Sequence, residues 1–308
     1  MLHVARRISA AAAAAVGVVA GEAIYVRLSF QLPPDPSKKL SGVESPSSTP
    51  QSPRQSTLVQ PLRHIVLMGD SLVTGVGCSL AVSEAGPVLP RSCAAVLAEG
   101  LGQGVGWTLL GETGADVMQL RDDYLPAFRR VVSRVHEEGG CIDAVVVLCG
   151  LNDVKQCCLH VQPISHHPAV FGDELEQLLL GIREAAGSQC VLLVPEEPMG
   201  DNPRFSRLWP LSACMRGVSA LWDYHKQQAC TRAAQAQETQ EAQEGAASTT
   251  SGGSIRHLPM PWGSAPPVLE NINDVYCSDG MHPNDLGYRL WGQVMGRALL
   301  DHLRHGPT

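Results

Sequence analysis

His64-Ile65-Val66-Leu67-Met68-Gly69-Asp70-Ser71 is an apolar run of strand length that stops abruptly at Gly-Asp-Ser. A short uninterrupted apolar run bounded by turn residues reads as a buried strand. Ser71 then stands at the carboxyl edge of a sheet, where open α/β sheets gather their ligands. A hydroxyl is a poor nucleophile at neutral pH. Ser71 therefore carries meaning only if the chain also supplies a base, a group that orients the base, and donors for a developing oxyanion.

Outward from this stretch, helix-like and strand-like segments alternate. Gly86 to Gly100 has helical spacing of apolar residues, and Val105 to Leu110 is a second strand ended by Gly111-Glu112-Thr113-Gly114. Asp116, a residue type suited to an N-cap, opens a helix predicted to run to Glu138, with Gly139-Gly140 as its stop. Asp143 to Cys149 is apolar without alternation, the mark of a strand covered on both faces. A helix over Phe171 to Ala186, a strand over Gln189 to Pro195 and a helix over Cys214 to Gln237 follow, then a fifth extended segment near Val268-Leu269 and a closing helix over Leu286 to Leu303. This order predicts one α/β domain over residues 62–304, with a mostly parallel five-stranded sheet between two helical layers.

The flanks differ in composition. Residues 1–31 place Arg6 and Arg7 before an Ala/Val-rich run, as in a signal peptide, a signal anchor or a transit peptide. Secretory entry or membrane anchoring is the preferred expectation, with the mitochondrion or another organelle as the alternative. Residues 32–61 are rich in Pro and Ser and read as a disordered linker, and Glu238 to Ser254 reads as a mobile polar insertion. The 308 residues carry a net charge of −7, which gives no electrostatic case for a nucleic-acid partner or an anionic surface. The ten cysteines include no paired C-x-x-C sets with His partners of the kind zinc requires.

Four short stretches fall at the ends of predicted strands: Gly69-Asp70-Ser71, Gly111 to Gly114, Gly150-Leu151-Asn152-Asp153 and Asp279-Gly280-Met281-His282. Each alone has an ordinary explanation as a turn. Together they supply every part Ser71 needs. His282 is the candidate base, and Asp279, three residues earlier, can reach its other ring nitrogen. Asn152 brings two uncharged N–H donors; Gly114 offers a backbone N–H with no side chain in the way, Gly111 being the alternative. Thr74-Gly75-Val76-Gly77 lacks the lysine of a phosphate loop. His64 and the pair His166-His167 read as surface or structural. Trp107, Trp209 and Trp262 are candidates for cleft walls, although packing explains them more simply.

These blocks resemble the SGNH (GDSL-type) hydrolases: Gly69-Asp70-Ser71-Leu72 is similar to the family's first block, Gly114 to its second, Gly150-Leu151-Asn152-Asp153 to its third and Asp279-Gly280-Met281-His282-Pro283 to its fifth. The resemblance implies a flavodoxin-like three-layer α/β/α sandwich and a carboxylic ester hydrolase without metal or cofactor. It also implies Ser71 as nucleophile, His282 as base, Asp279 as orienter, and an oxyanion hole of Ser71, Gly114 and Asn152. With no long apolar lid segment in the domain, the expected substrate is a small ester with a short acyl chain, glycan- or lipid-linked groups included. An acyltransferase or phospholipase would carry the same residues, and a catalytically silent module tethered to a membrane by residues 1–31 is the alternative of another class.

Overall fold

The computed structural model describes residues 2–34, 39–47, 63–79, 84–159, 165–197, 199, 202–243, 253–260 and 272–305. Its strands are β1 (Ser41–Glu44), β2 (Arg63–Gly69), β3 (Val105–Gly111), β4 (Cys141–Leu148), β5 (Val191–Pro195) and β6 (Ile255–Leu258). They form one sheet in the order β1-β3-β2-β4-β5-β6, parallel except for β1, which runs antiparallel to β3. The principal helices are α1 (Leu2–Ser29), α2 (Ser71–Thr74), α3 (Val88–Leu101), α4 (Leu125–Glu137), α5 (Leu151–Leu159), α6 (Pro168–Ala186), α7 (Leu211–Gln243) and α8 (Asp285–His305).

The alternation of side chains along each strand builds two cores. Val66, Met68, Val145, Val147, Leu192 and Val194 face α4, α6 and α7. Ile65, Leu67, Val146, Leu148 and Leu193 face α3 and α8. Each such side chain, removed from water, contributes about 1.5–3 kcal/mol against the entropy of folding. The central strands are therefore covered on both sides, as their unbroken apolar runs required. From β2 the chain steps outward to β3, then crosses to β4 on the other side of β2. This reversal of direction beside β2 is a topological switch point, the place where open α/β sheets bind ligands at their carboxyl edge.

Several details differ from the sequence-based expectation. The sheet has six strands instead of five, because Ser41–Glu44, inside the span read as linker, pairs with β3 from Ser41↔Thr108 to Glu44↔Val105. Its side chains alternate between exposed and half-buried, so pairing holds it, not an apolar face. The last parallel strand is Ile255–Leu258 on the edge beyond β5; the expected extended segment at Val268-Leu269 lies outside the described residues. The helix expected over 116–138 begins as expected, with Asp116 accepting from Gln119 N at 2.9 Å, but it passes through a π turn at Leu120–Tyr124 before α4. Pro126 lacks the N–H a continuous α-helix would use at that point.

The polar run read as an insertion begins later than expected, since α7 continues to Gln243, and residues 244–252 lie outside the described residues. The N-terminal segment is the single helix α1, whose Glu22 accepts from Leu211 N at 3.0 Å and whose Val26 carbonyl accepts from Arg204 at 3.0 Å. Among the described residues no helix is long and apolar enough to cross a membrane.

Candidate active site

Ser71 is the first residue of α2, at the tip of β2. Asp70 caps that short helix, its carboxylate accepting from Leu72 N at 3.0 Å. The turn at Asp279–His282 lies between Tyr276 and α8 and is closed by Gly280 at φ 69°. Although 211 positions separate them, His282 Nε2 lies 2.9 Å from Ser71 Oγ. His282 Nδ1 lies 2.6 Å from Asp279 Oδ2. All three residues are at least 93 % buried.

The second oxygen of Asp279 is held as firmly. It accepts from Met281 N at 2.7 Å, from His282 N at 2.9 Å and from the Cys277 thiol at 3.1 Å. Burial alone would raise this acid, but the hydrogen bond and charge of His282 and the two backbone amides outweigh it and hold the carboxyl at about 2. Asp279 is thus ionised at any pH near neutrality, and the proton on His282 Nδ1 has an acceptor. Nε2 is left to face the serine hydroxyl.

Gly114 and Asn152 complete the edge. Gly114 sits at φ 97°, and a Cβ there would meet nothing within 4 Å. Gly111, the alternative, is packed against β2: a Cβ there would lie 1.8 Å from Gly69 O. Of the two candidates, Gly114 is therefore the one whose missing side chain leaves room beside the loop. Asn152, at the start of α5, is buried, and its Nδ2 donates to Asp70 Oδ2 at 2.8 Å and to Ala115 O at 3.1 Å. One carboxylate, Asp70, thereby ties the Ser71 turn to the Asn152 turn. Asp153 holds the neighbouring loop, accepting from Val117 N at 3.3 Å, and burial together with the Asp116 charge raises its acid to about 7.

The other sequence candidates are elsewhere. His64 bonds Thr108 Oγ1 at 2.8 Å, and burial and Arg134 lower its pKa to about 4, which makes it structural. His166 is buried against Asp116 at 3.2 Å. Trp107 is a fully buried core residue, Trp209 is 78 % exposed, and Trp262 lies outside the described residues. A cavity of about 660 Å³ lies at the opposite, amino end of the sheet, lined by Arg63, Cys141, Asp143 and His302. Among the described residues the cysteines form no disulfide, and no cluster of His, Cys, Asp or Glu is placed to hold a metal ion.

Two buried residues behind the site, Glu197 and Lys226, carried no local signal as such. Glu197 accepts from Leu151 N at 3.1 Å, and Lys226 lies 3.9 Å from Glu197. Glu197 stands in Val194-Pro195-Glu196-Glu197-Pro198, where its side chain could have been read as exposed, and Lys226 lies in the middle of an otherwise polar stretch of helix.

The model of the GDSL-like lipase/acylhydrolase family matches residues 67–290. Among solved structures, a carbohydrate esterase family 2 enzyme with a carbohydrate binding domain, from Corynascus thermopiles (Myceliophthora fergusii), superposes with a TM-score of 0.51 at 18% identity, over 79% of this chain and 67% of that one. An acetylxylan esterase from Geobacillus stearothermophilus gives 0.48 at 14% identity, over 77% and 93%. A putative GDSL-like lipase from Parabacteroides merdae gives 0.41 at 17% identity, over 78% and 96%. Comparison with curated proteins gave no match.

Proposed function

The chain belongs to the GDSL-like lipase/acylhydrolase family and is a carboxylic ester hydrolase, and from that premise we propose that it cleaves esters of short acyl chains through an acyl-enzyme on Ser71. The observation that carries this reading is the continuous hydrogen-bond chain from Ser71 Oγ through both nitrogens of His282 to Asp279, buried at the carboxyl edge of the sheet. A binding module without chemistry has no use for such a chain.

In the first step His282 Nε2 takes the proton of Ser71 as Oγ attacks the ester carbonyl. The negative charge that forms on the carbonyl oxygen is met by the Ser71 and Gly114 backbone N–H groups and by the Asn152 amide. Asn152 already makes two bonds, and the oxyanion competes with Ala115 O, the longer of them. Protonated His282, stabilised by Asp279, then gives its proton to the departing alcohol. Water repeats the cycle on the acyl-enzyme and releases the acid.

Acetyl esters of small molecules or glycans are the first class to test. No long apolar lid appears in the sequence of the domain, and a carbohydrate esterase shares the fold. The test is a series of p-nitrophenyl esters from acetate to decanoate, with wild type beside Ser71→Ala. The expected result is highest kcat/KM on acetate or butyrate and no turnover by a variant that melts as the wild type does. Rates that climb with chain length would overturn the short-acyl assignment, and turnover by Ser71→Ala would overturn the nucleophile.

A further inference from the structure

We propose that the buried Glu197–Lys226 pair is a positioning device for the Asn152 donor: Glu197 holds the first turn of α5, and Lys226 holds Glu197. The inference rests on the reading that Asn152 serves the oxyanion.

The argument begins at Leu151. A first-turn backbone N–H has no partner within its own helix, and whatever accepts it fixes how the helix leaves the preceding strand. Here the acceptor is Glu197 Oε2, reaching across from the end of β5 at 3.1 Å, and the residue it pins is the immediate neighbour of Asn152. Negative charge at a helix N-terminus is favourable, but Glu197 is 97 % buried, and a buried carboxylate is costly unless it is paired.

Lys226 supplies the pairing. Only 1 % exposed on α7, its Nζ donates to Pro195 O at 3.3 Å and lies 3.6 Å from Asp223 and 3.9 Å from Glu197. Its stem touches the same turn from below. A Cβ on Gly150, which sits at φ 126°, would lie 3.1 Å from Lys226 Cε. Lys226 therefore meets the Gly150–Asn152 turn twice, through its methylenes at Gly150 and through Glu197 at Leu151. The surroundings are short of positive charge, since Asp70 and Asp153 are buried close by, and burial and the Glu197 charge raise Asp70 while Lys226 opposes the rise. Asp70 is itself the acceptor that aims Asn152 Nδ2.

Removing the ammonium leaves Glu197 buried without its cation, so the carboxylate must protonate or turn toward water, and Leu151 N loses its acceptor. A displacement of about 1 Å in a catalytic group can cost about 10²-fold, and that is the scale expected for Asn152. The consequence belongs in kcat, because the donor acts on the oxyanion and not on the bound ester.

The experiment uses the purified full chain and p-nitrophenyl acetate, with circular dichroism and thermal melts to establish folding. Lys226→Met is expected to lower kcat by roughly 10- to 100-fold with KM within about threefold. Adding Glu197→Gln, which removes the unpaired charge but keeps an acceptor, is expected to recover part of that loss. In an Asn152→Ala background, Lys226→Met should cost less than about threefold, because the donor through which it acts is already gone. A merely structural residue would multiply its cost in both backgrounds.

Wild-type kcat in folded Lys226→Met, or full multiplication on Asn152→Ala, would overturn the proposal. If Lys226→Met does not fold, Glu197→Ala against Glu197→Gln makes the same test, with loss expected for Ala and near-retention for Gln; equal kcat in the two would overturn it. A wild type with no ester activity would count against the proposed function and not against this pair. The side-chain amide resonances of Asn152 then give the answer: a shift in Lys226→Met supports the device and unmoved resonances refute it.

Discussion

Asp279→Asn changes one atom and should disable the site. The carboxylate accepts from His282 Nδ1 at 2.6 Å through one oxygen and from Met281 N, His282 N and the Cys277 thiol through the other. An asparagine keeps the second set by turning its carbonyl toward the backbone, but its NH₂ then faces Nδ1. Two donors cannot bond, so the ring is driven to the tautomer that carries its proton on Nε2, where it can no longer receive the proton of Ser71. A loss in kcat on the order of 10⁴ is the scale for this tautomer error in a serine triad. The stability effect is separable and its sign follows from linkage. The acid is held at about 2 in the folded chain, against about 3.9 unfolded, so it contributes roughly 2–3 kcal/mol, present above pH 4 and lost as pH falls toward 2. The assay is ester hydrolysis at pH 7 to 8 together with urea unfolding of both proteins at pH 7 and pH 3. Wild type should lose more stability than the variant over that interval. A variant within tenfold of wild-type kcat, or one whose stability falls as steeply with acid, would refute the reasoning about Asp279.

Gly114→Ala meets no steric obstacle but places a Cβ at φ 97°, a strain of roughly 1–2 kcal/mol, and the loop relieves it by moving its amide; kcat should fall at least about tenfold, and an unchanged kcat would separate Gly114 from the oxyanion. Trp107→Ala should cost about 3–5 kcal/mol in urea unfolding, since the ring is fully buried beneath β1, with little effect on kcat in the folded fraction. Native alkylation should reach exposed Cys214 and spare Cys93 and Cys190, whose thiols burial pushes up to about 12; rapid labelling of either in the folded chain would contradict the packing of the two cores.

What the sequence disclosed was whatever local chemistry announces. The strand over His64 to Met68, the cap at Asp116 and the turns after β2, β4 and before α8 each depend on a few adjacent residues, and their residue types suit only a few conformations. β1 was invisible because its Ser41-Gly42-Val43-Glu44 has no apolar face; pairing with β3, more than 60 positions away, makes it a strand. β6 was missed for a related reason, since Ile255-Arg256-His257-Leu258 sits on the far edge beside β5 and tolerates an arginine and a histidine. Glu197 and Lys226 look like surface charges until β5 and α7 are brought together over the Gly150 turn. Local sequence holds no trace of a charge whose partner comes from another element.

The central claim is that Ser71 is activated, and labelling of the purified full chain with a fluorophosphonate probe tests it most directly. The account predicts rapid labelling of the wild type, none of Ser71→Ala, and strongly slowed labelling of His282→Ala. A folded wild type that fails to label, or label that persists in Ser71→Ala, would contradict it.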